Sequence, residues 1–299
     1  MGVYWSATGF PSTGFGIMTA KEQNLISMSI KFIFQGVLLA LLCSCSAATG
    51  PKTGATAATV NRSSKTTAPS PSTRKEITSS DQAMGLAQQA FRSGEYQQTI
   101  DYMNQAMALD GNSVGANDPV NAQRWTLMGG AYRKLKQFDQ ALSYFRKALE
   151  LRQRIYGDVH PNVGTSWNDL GLTYDNAGDH AKAIEHFNEC LKIYKALLDE
   201  NHPWLGVTLK NIAKAYKEQN QPGEALEFYL KALSNDERNF GRTHPQWAIT
   251  QVHIGEIYIK LGKADSARQA FEKALRVLET KLGPEHPFSR GIRENLKGI

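Results

Sequence analysis

Four histidines in this sequence stand directly before prolines: His160-Pro161, His202-Pro203, His244-Pro245 and His286-Pro287, each pair 42 residues after the last. Imidazole is the commonest metal-ligating side chain, so a row of histidines raises the question of a metal array. The even spacing answers it. A ligand that recurs once per structural unit is carried one step along the molecule each time, and four such residues cannot converge on one ion. They read instead as loop residues that hydrogen-bond the chain ahead of a proline, and neither a metal site nor a cofactor is expected. The cysteines offer no more: Cys43 and Cys45 sit two apart, Cys190 stands alone, and no CxxC pair, zinc spacing or disulfide framework is present. No HExxH, GxSxG, phosphate-cradling glycine loop or paired-carboxylate signature occurs, so no catalytic residue is expected and the chain does not read as an enzyme. Lys210, Lys214 and Lys217, at i, i+4 and i+7, share one face of any helix that contains them. Such a face either receives an acidic partner segment or is simply solvated.

The 42-residue step reaches well beyond the histidines. Asp118-Pro119 falls 42 residues before the first of them. Small residues keep the register at Ala87, Gly129, Gly171, Ala213 and Gly255; tyrosines at 132, 174, 216 and 258; alanines at 141, 183, 225 and 267; large rings at Phe145, Phe187, Tyr229 and Phe271. Self-similarity at a period of 20–50 residues marks a repeat architecture. Ala183, Ile184, Phe187, Cys190, Leu191, Tyr194 and Leu198 form a helix-period apolar stripe. In it Cys190 occupies the small-residue slot that Ala148, Ala232 and Ala274 fill elsewhere, as a buried hydrophobe. Gly94, Gly178 and Gly262 fall between successive helical stretches, where glycine tolerates left-handed torsions. The pattern predicts helices near 81–92, 96–109, 121–135, 138–156, 163–176, 180–198, 205–219, 222–239, 247–261 and 264–281, with a last one near 288–297.

These columns resemble the tetratricopeptide-repeat pattern W-x2-L-G-x2-Y…A-x3-F, with Trp125 and Trp167 in its first column. The 42-residue step and strings such as Leu282-Gly283-Pro284-Glu285-His286-Pro287 resemble kinesin-light-chain-type repeats in particular. The resemblance covers residues 81–299. It implies an all-α fold, a right-handed superhelix of about five helix pairs, with units near 81–117, 118–159, 160–201, 202–243 and 244–285 and a cap over 286–299. The first pair departs from the pattern, with Ala90 where tyrosine is expected and Met103 where phenylalanine is. The resemblance further implies a concave groove, lined by the first helix of each unit, that binds a peptide or helix of another protein. Taking the small residue as the eighth of each unit, the groove includes Arg133, Asn168, Asp169, Lys210, Asn211, Lys214, Lys217, His253 and Glu256. Asn211 matches an asparagine that grips a peptide backbone in such repeats, while Asp169 and His253 replace it in the adjacent units. An amide both donates and accepts, so it can clamp a peptide group whatever side chain the ligand carries.

A net charge of +6 invites a nucleic-acid reading, but the charge is unevenly placed. Lys21, Lys31, Lys52, Arg62, Lys65, Arg74 and Lys75 face only Glu22 and Glu76 in residues 1–80, which leaves 27 basic against 26 acidic residues in the rest. Phosphate binding needs clustered cations on one face. The repeats have no such cluster, and nucleic acid is not an expected partner.

The N-terminal quarter reads as targeting and tether. From Met28 the chain runs MSIKFIFQGVLLALLCSCS, with a basic residue ahead of a 14-residue uncharged stretch, Phe32 to Cys45. That stretch is shorter than the about 20 residues a membrane-spanning helix needs and suits a signal peptide over 28–45. Leu42-Cys43-Ser44-Cys45 resembles the bacterial lipobox. The resemblance implies cleavage before Cys45, acylation of that residue and, with Ser46 next, the periplasmic face of the outer membrane. Residues 1–27 are then an extended or misassigned start. An uncleaved anchor, or myristoylation at the Met1-Gly2 motif, are the competing readings. In 46–80, Ser, Thr, Ala, Pro and Gly fill 26 of 35 positions. Such a segment cannot bury enough apolar surface to order itself, and as a flexible tether it spans about 30–35 Å. The function expected is a protein-binding scaffold tethered to the cell envelope; the alternative is a cytosolic kinesin-light-chain-like adaptor without the lipid.

Overall fold

In the computed structural model, which describes residues 77–111 and 115–299, every first helix from the second unit onward starts on its proline. The eleven helices among the described residues are α1 (Ser80–Arg92), α2 (Tyr96–Asp110), α3 (Pro119–Lys134), α4 (Phe138–Tyr156), α5 (Pro161–Asn176), α6 (His180–Leu197), α7 (Pro203–Glu218), α8 (Pro222–Phe240), α9 (Pro245–Lys260), α10 (Ala264–Leu282) and α11 (Pro287–Lys297). None of these residues forms a strand. The leader, Cys45 and residues 46–76 of the tether lie outside the described residues.

The prolines move the expected helix starts back by two residues in four helices and by one in α11. Proline suits the first helical position, where its missing N–H is no loss, and the residue before it becomes the cap. His160, His202, His244 and His286 each accept the backbone N–H of the second helical residue on Nδ1, at 3.1, 3.2, 3.1 and 3.3 Å. Asp118 does the same with Oδ1 at 2.8 Å. The loop hydrogen bond expected of the histidines is therefore an N-cap, one of the four orphan donors of each helix start. It requires the unprotonated nitrogen. Burial, with the charge of Arg152, lowers the His160 pKa, and burial lowers that of His202 against the pull of Asp199. Both shifts favour the accepting form.

Consecutive helices pack as antiparallel-type pairs, α1 with α2 through α9 with α10, and each second helix packs on the next first helix. Within pairs, the small-residue column decides how closely the helices cross. A Cβ on Gly129, Gly171 or Gly255 would lie 2.9, 2.6 or 2.8 Å from the ring of Phe145, Phe187 or Phe271 on the partner helix. Where the column holds Ala87 or Ala213, the facing residue is Met103 or Tyr229 instead, all four of them buried. The first pair thus packs as fully as the rest despite lacking the aromatic columns. At the far end, Lys297 of α11 falls in the same small-residue column, exposed and 2.8 Å from Glu294, so that helix closes the stack.

Between pairs, at four of the five junctions a residue of the second helix meets the residue 14 positions later on the next first helix, each time through different chemistry. Asp110 pairs with Arg124. Arg152 donates to Ser166 Oγ at 2.6 Å, Thr250 Oγ1 donates to Asp236 at 2.6 Å, and the last junction joins Leu278 to Ile292 in one apolar cluster.

The turn within each pair repeats a left-handed residue: Gly94, Gly178 and Gly262 at φ +80°, +87° and +69°, but Lys136 and Asn220 at +61° and +59° in the second and fourth units. A non-glycine residue pays about 1–2 kcal/mol there, of which glycine's greater unfolded freedom takes back about 0.5–1 kcal/mol. Lys136→Gly is expected to raise stability by about 0.5–1 kcal/mol in urea titrations. A midpoint that does not rise would mean that Lys136 is not strained.

Candidate partner-binding face

Successive first helices touch one another, α1 to α3, α3 to α5 and α5 to α7, so their exposed sides form one continuous face. The positions selected in the sequence come together on it, and their neighbours across the helices decide what they can do. Asn211 on α7 donates from Nδ2 to Oδ1 of Asn168 on α5 at 3.0 Å. Each amide orients the other, leaving a donor on Asn168 and an acceptor on Asn211, the complement of a peptide group.

The three lysines do not stand as a bare cationic stripe. Lys210 lies 3.0 Å from Asp236, whose side chain is 2% exposed. Lys214 lies 2.8 Å from Asp175, which also meets His180 at 2.8 Å. Lys217 lies 3.2 Å from Glu256, and His253 lies 3.4 Å from that same carboxylate. Burial would raise the Glu256 pKa, but the hydrogen bond and charge of His253, then Lys217, hold it at about 2. The lysines thus bind α5, α7, α8 and α9 into one wall. Of the three, Lys214 is the one still half exposed, at 52%.

Arg133 and Asp169 belong to a deeper layer. The Arg133 guanidinium sits 5.9 Å from the centre of the Phe145 ring, and its Nε is buried with no hydrogen-bond acceptor among the described residues. Burial lowers its pKa against the opposing charge of Asp169. Burial raises the Asp169 carboxyl, while Arg133 and Arg152 pull it back down. Among the described residues no group of three or more His, Cys, Asp or Glu side chains is placed to hold a metal ion, and burial pushes the Cys190 thiol up to about 12.

Sequence reasoning missed the acidic partners Asp175 and Asp236, and the Thr250 hydroxyl that donates to Asp236, the residues that anchor the wall. The column through Asp236 holds Asp110, Arg152, Tyr194 and Leu278 in the other units, so only its match to Asp110 could have signalled it. Models of the tetratricopeptide repeat match residues 121–196, 176–238 and 247–288, more than half of the chain. The chain belongs to the tetratricopeptide-repeat family.

Solved repeats of this family have the same fold. A kinesin light chain of nearly identical TPR-like repeats from Podosopora anserina shares 18% identity over 68% of this chain and 96% of its own, with a TM-score of 0.60. BtubC (BKLC) from P. vanneervenii shares 18% over 69% and 82%, also at 0.60. The apo form of RapI shares 16% over 73% and 82%, again at 0.60. At such identities the likeness is one of fold alone. No curated protein matches the sequence. Repeat solenoids of this family serve protein–protein interaction, each unit adding to an extended binding surface.

Proposed function

We propose that this chain is a non-enzymatic scaffold that binds an extended segment of another protein along the first-helix face, held at the bacterial envelope by a lipid on Cys45. The observation that supports binding is the Asn168–Asn211 amide pair, an oriented donor and acceptor on a face whose charges are otherwise paired within the protein. The ligand is gripped by its backbone, and the half-exposed Lys214 supplies a local preference for an acidic residue. A partner recovered from detergent-solubilised envelope with the full chain as bait gives the test. Asn211→Ala should weaken its binding by about 1–3 kcal/mol in calorimetry, because a peptide group loses its partners. Lys182→Ala, at an exposed position of α6 paired with Asp179, should leave binding unchanged. Equal effects from the two would place the partner elsewhere.

The tether has its own test. Cys45→Ala should release the protein from membranes or stall its processing, and abolish labelling by an alkyne fatty acid. Labelling that survives the substitution, or a full chain that fractionates with the cytosol, would favour a cytosolic adaptor instead.

A further inference from the structure

Two hollows at the inter-unit loop edge, away from the amide pair, are the same place two units apart. The smaller, of about 80 Å³, is lined by Ala116, Trp125, Lys147, Glu150, Leu151 and Arg154. Moving each of these forward 84 positions gives Glu200, Leu209, Lys231, Ser234, Asn235 and Arg238, all of which line the larger hollow of about 250 Å³. The surroundings repeat as well. Arg154 donates to Asn117 Oδ1 at 3.0 Å and Arg238 to Asn201 Oδ1 at 2.8 Å. Lys147 lies 5.2 Å from the Tyr144 ring centre and Lys231 lies 5.0 Å from that of Phe228. Those rings stack on Tyr132 and Tyr216 at 5.4 and 5.5 Å. The unit between them has Ala196 and Val159 in place of the arginine and asparagine.

We infer that the two hollows are paired docking notches for one acidic, leucine-type segment of a partner protein, a surface separate from the first-helix face. Charge argues for an acidic ligand. Lys195, Lys231 and Arg238 outnumber Glu200 in the larger notch even with Lys231 paired to Glu227, and Lys147 and Arg154 outnumber Glu150 in the smaller. Lys195 has no carboxylate within ion-pair distance among the described residues. Each arginine is positioned by one asparagine, and a guanidinium has five N–H donors, so the others remain for an incoming carboxylate. The floor of the larger notch, Leu191, Leu205 and Leu209, takes an aliphatic side chain. Its volume is below the about 300–1,000 Å³ of small-molecule sites, which fits a side chain of a longer chain. Two notches in register along one edge let a single segment bind twice, the second contact at high effective concentration.

Two fluorescein-labelled hexapeptides test this with the full-length protein: one of alternating leucine and glutamate, one of alternating leucine and lysine. The acidic peptide should bind by anisotropy, shift the amide resonances of Ser234 and Asn235, and lose at least about tenfold in affinity in Lys195→Glu/Arg238→Glu. Lys195→Gln/Arg238→Gln should lose less, and both variants should melt like the parent, since the two side chains are exposed. Asn211→Ala should leave this binding intact, which separates the notch from the first-helix face. Equal binding of the lysine peptide, shifts confined to Asn168 and Asn211, or affinity unmoved by either double substitution would overturn the inference. So would sedimentation with phosphatidylserine vesicles that the same variants abolish, because it would assign the cations to a membrane surface.

Discussion

Asp236→Ala is expected to cost about 3–5 kcal/mol of stability, because it removes one partner of a buried ion pair and leaves the other behind. Asp236 is 1% exposed, accepts a hydrogen bond from Thr250 at 2.6 Å and receives Lys210 at 3.0 and 3.1 Å. Without it, the largely buried Lys210 ammonium on α7 loses its carboxylate at the junction of two units, and the Thr250 hydroxyl on α9 keeps only the Gln246 carbonyl. The protein itself supplies the rescue. The equivalent three positions one unit later are Val252, Leu278 and Ile292, packed in one apolar cluster. Lys210→Val/Asp236→Leu/Thr250→Ile copies that junction, and replacing a buried ion pair by apolar residues of similar volume is often neutral or stabilising by about 1–4 kcal/mol. Urea unfolding of the single and triple variants checks both halves. A single variant within about 1 kcal/mol of the parent, or a triple variant no better than the single, would mean that Asp236 is not the keystone of that junction.

The same residues show what the sequence made legible. Pairs of helices, the tight crossing at Gly171 and the turn glycines follow from columns that repeat, because each column answers a packing need that recurs in every unit. The polar wall does not repeat. Lys210, Lys214 and Lys217 were readable as one helical face, but the acids that engage them come from 26 and 39 residues away and from three different columns. A one-dimensional pattern places like with like at 42-residue steps; an ion pair between unlike columns needs the superposition of neighbouring units. The histidine caps fall between these cases. Their spacing was plain, while their chemistry was hidden by reading the helix as starting after the proline rather than on it.

Gly171→Leu is expected to destabilise the protein by about 3 kcal/mol, the upper end of ordinary overpacking, and to disable the amide pair with it. A Cβ at that position would already sit 2.6 Å from two carbons of the Phe187 ring, itself fully buried. Neither side can give way, since Gly171 lies on helical backbone and Phe187 is surrounded by the central core cluster. The α5–α6 pair must therefore spread. Asn168 is one helical turn from Gly171, and its 3.0 Å bond to Asn211 crosses from α5 to α7, so spreading at Gly171 pulls the two amides out of register. Because each unit stabilises its neighbours, the unfolding transition should also broaden. Gly171→Ala/Phe187→Met tests the steric account directly, since the first unit accommodates this very combination as Ala87 and Met103. The double variant should recover most of the stability lost by Gly171→Ala alone and restore partner binding. A melt of Gly171→Leu that coincides with the parent, or a double variant no more stable than Gly171→Ala, would show that the glycine is not what lets these helices approach.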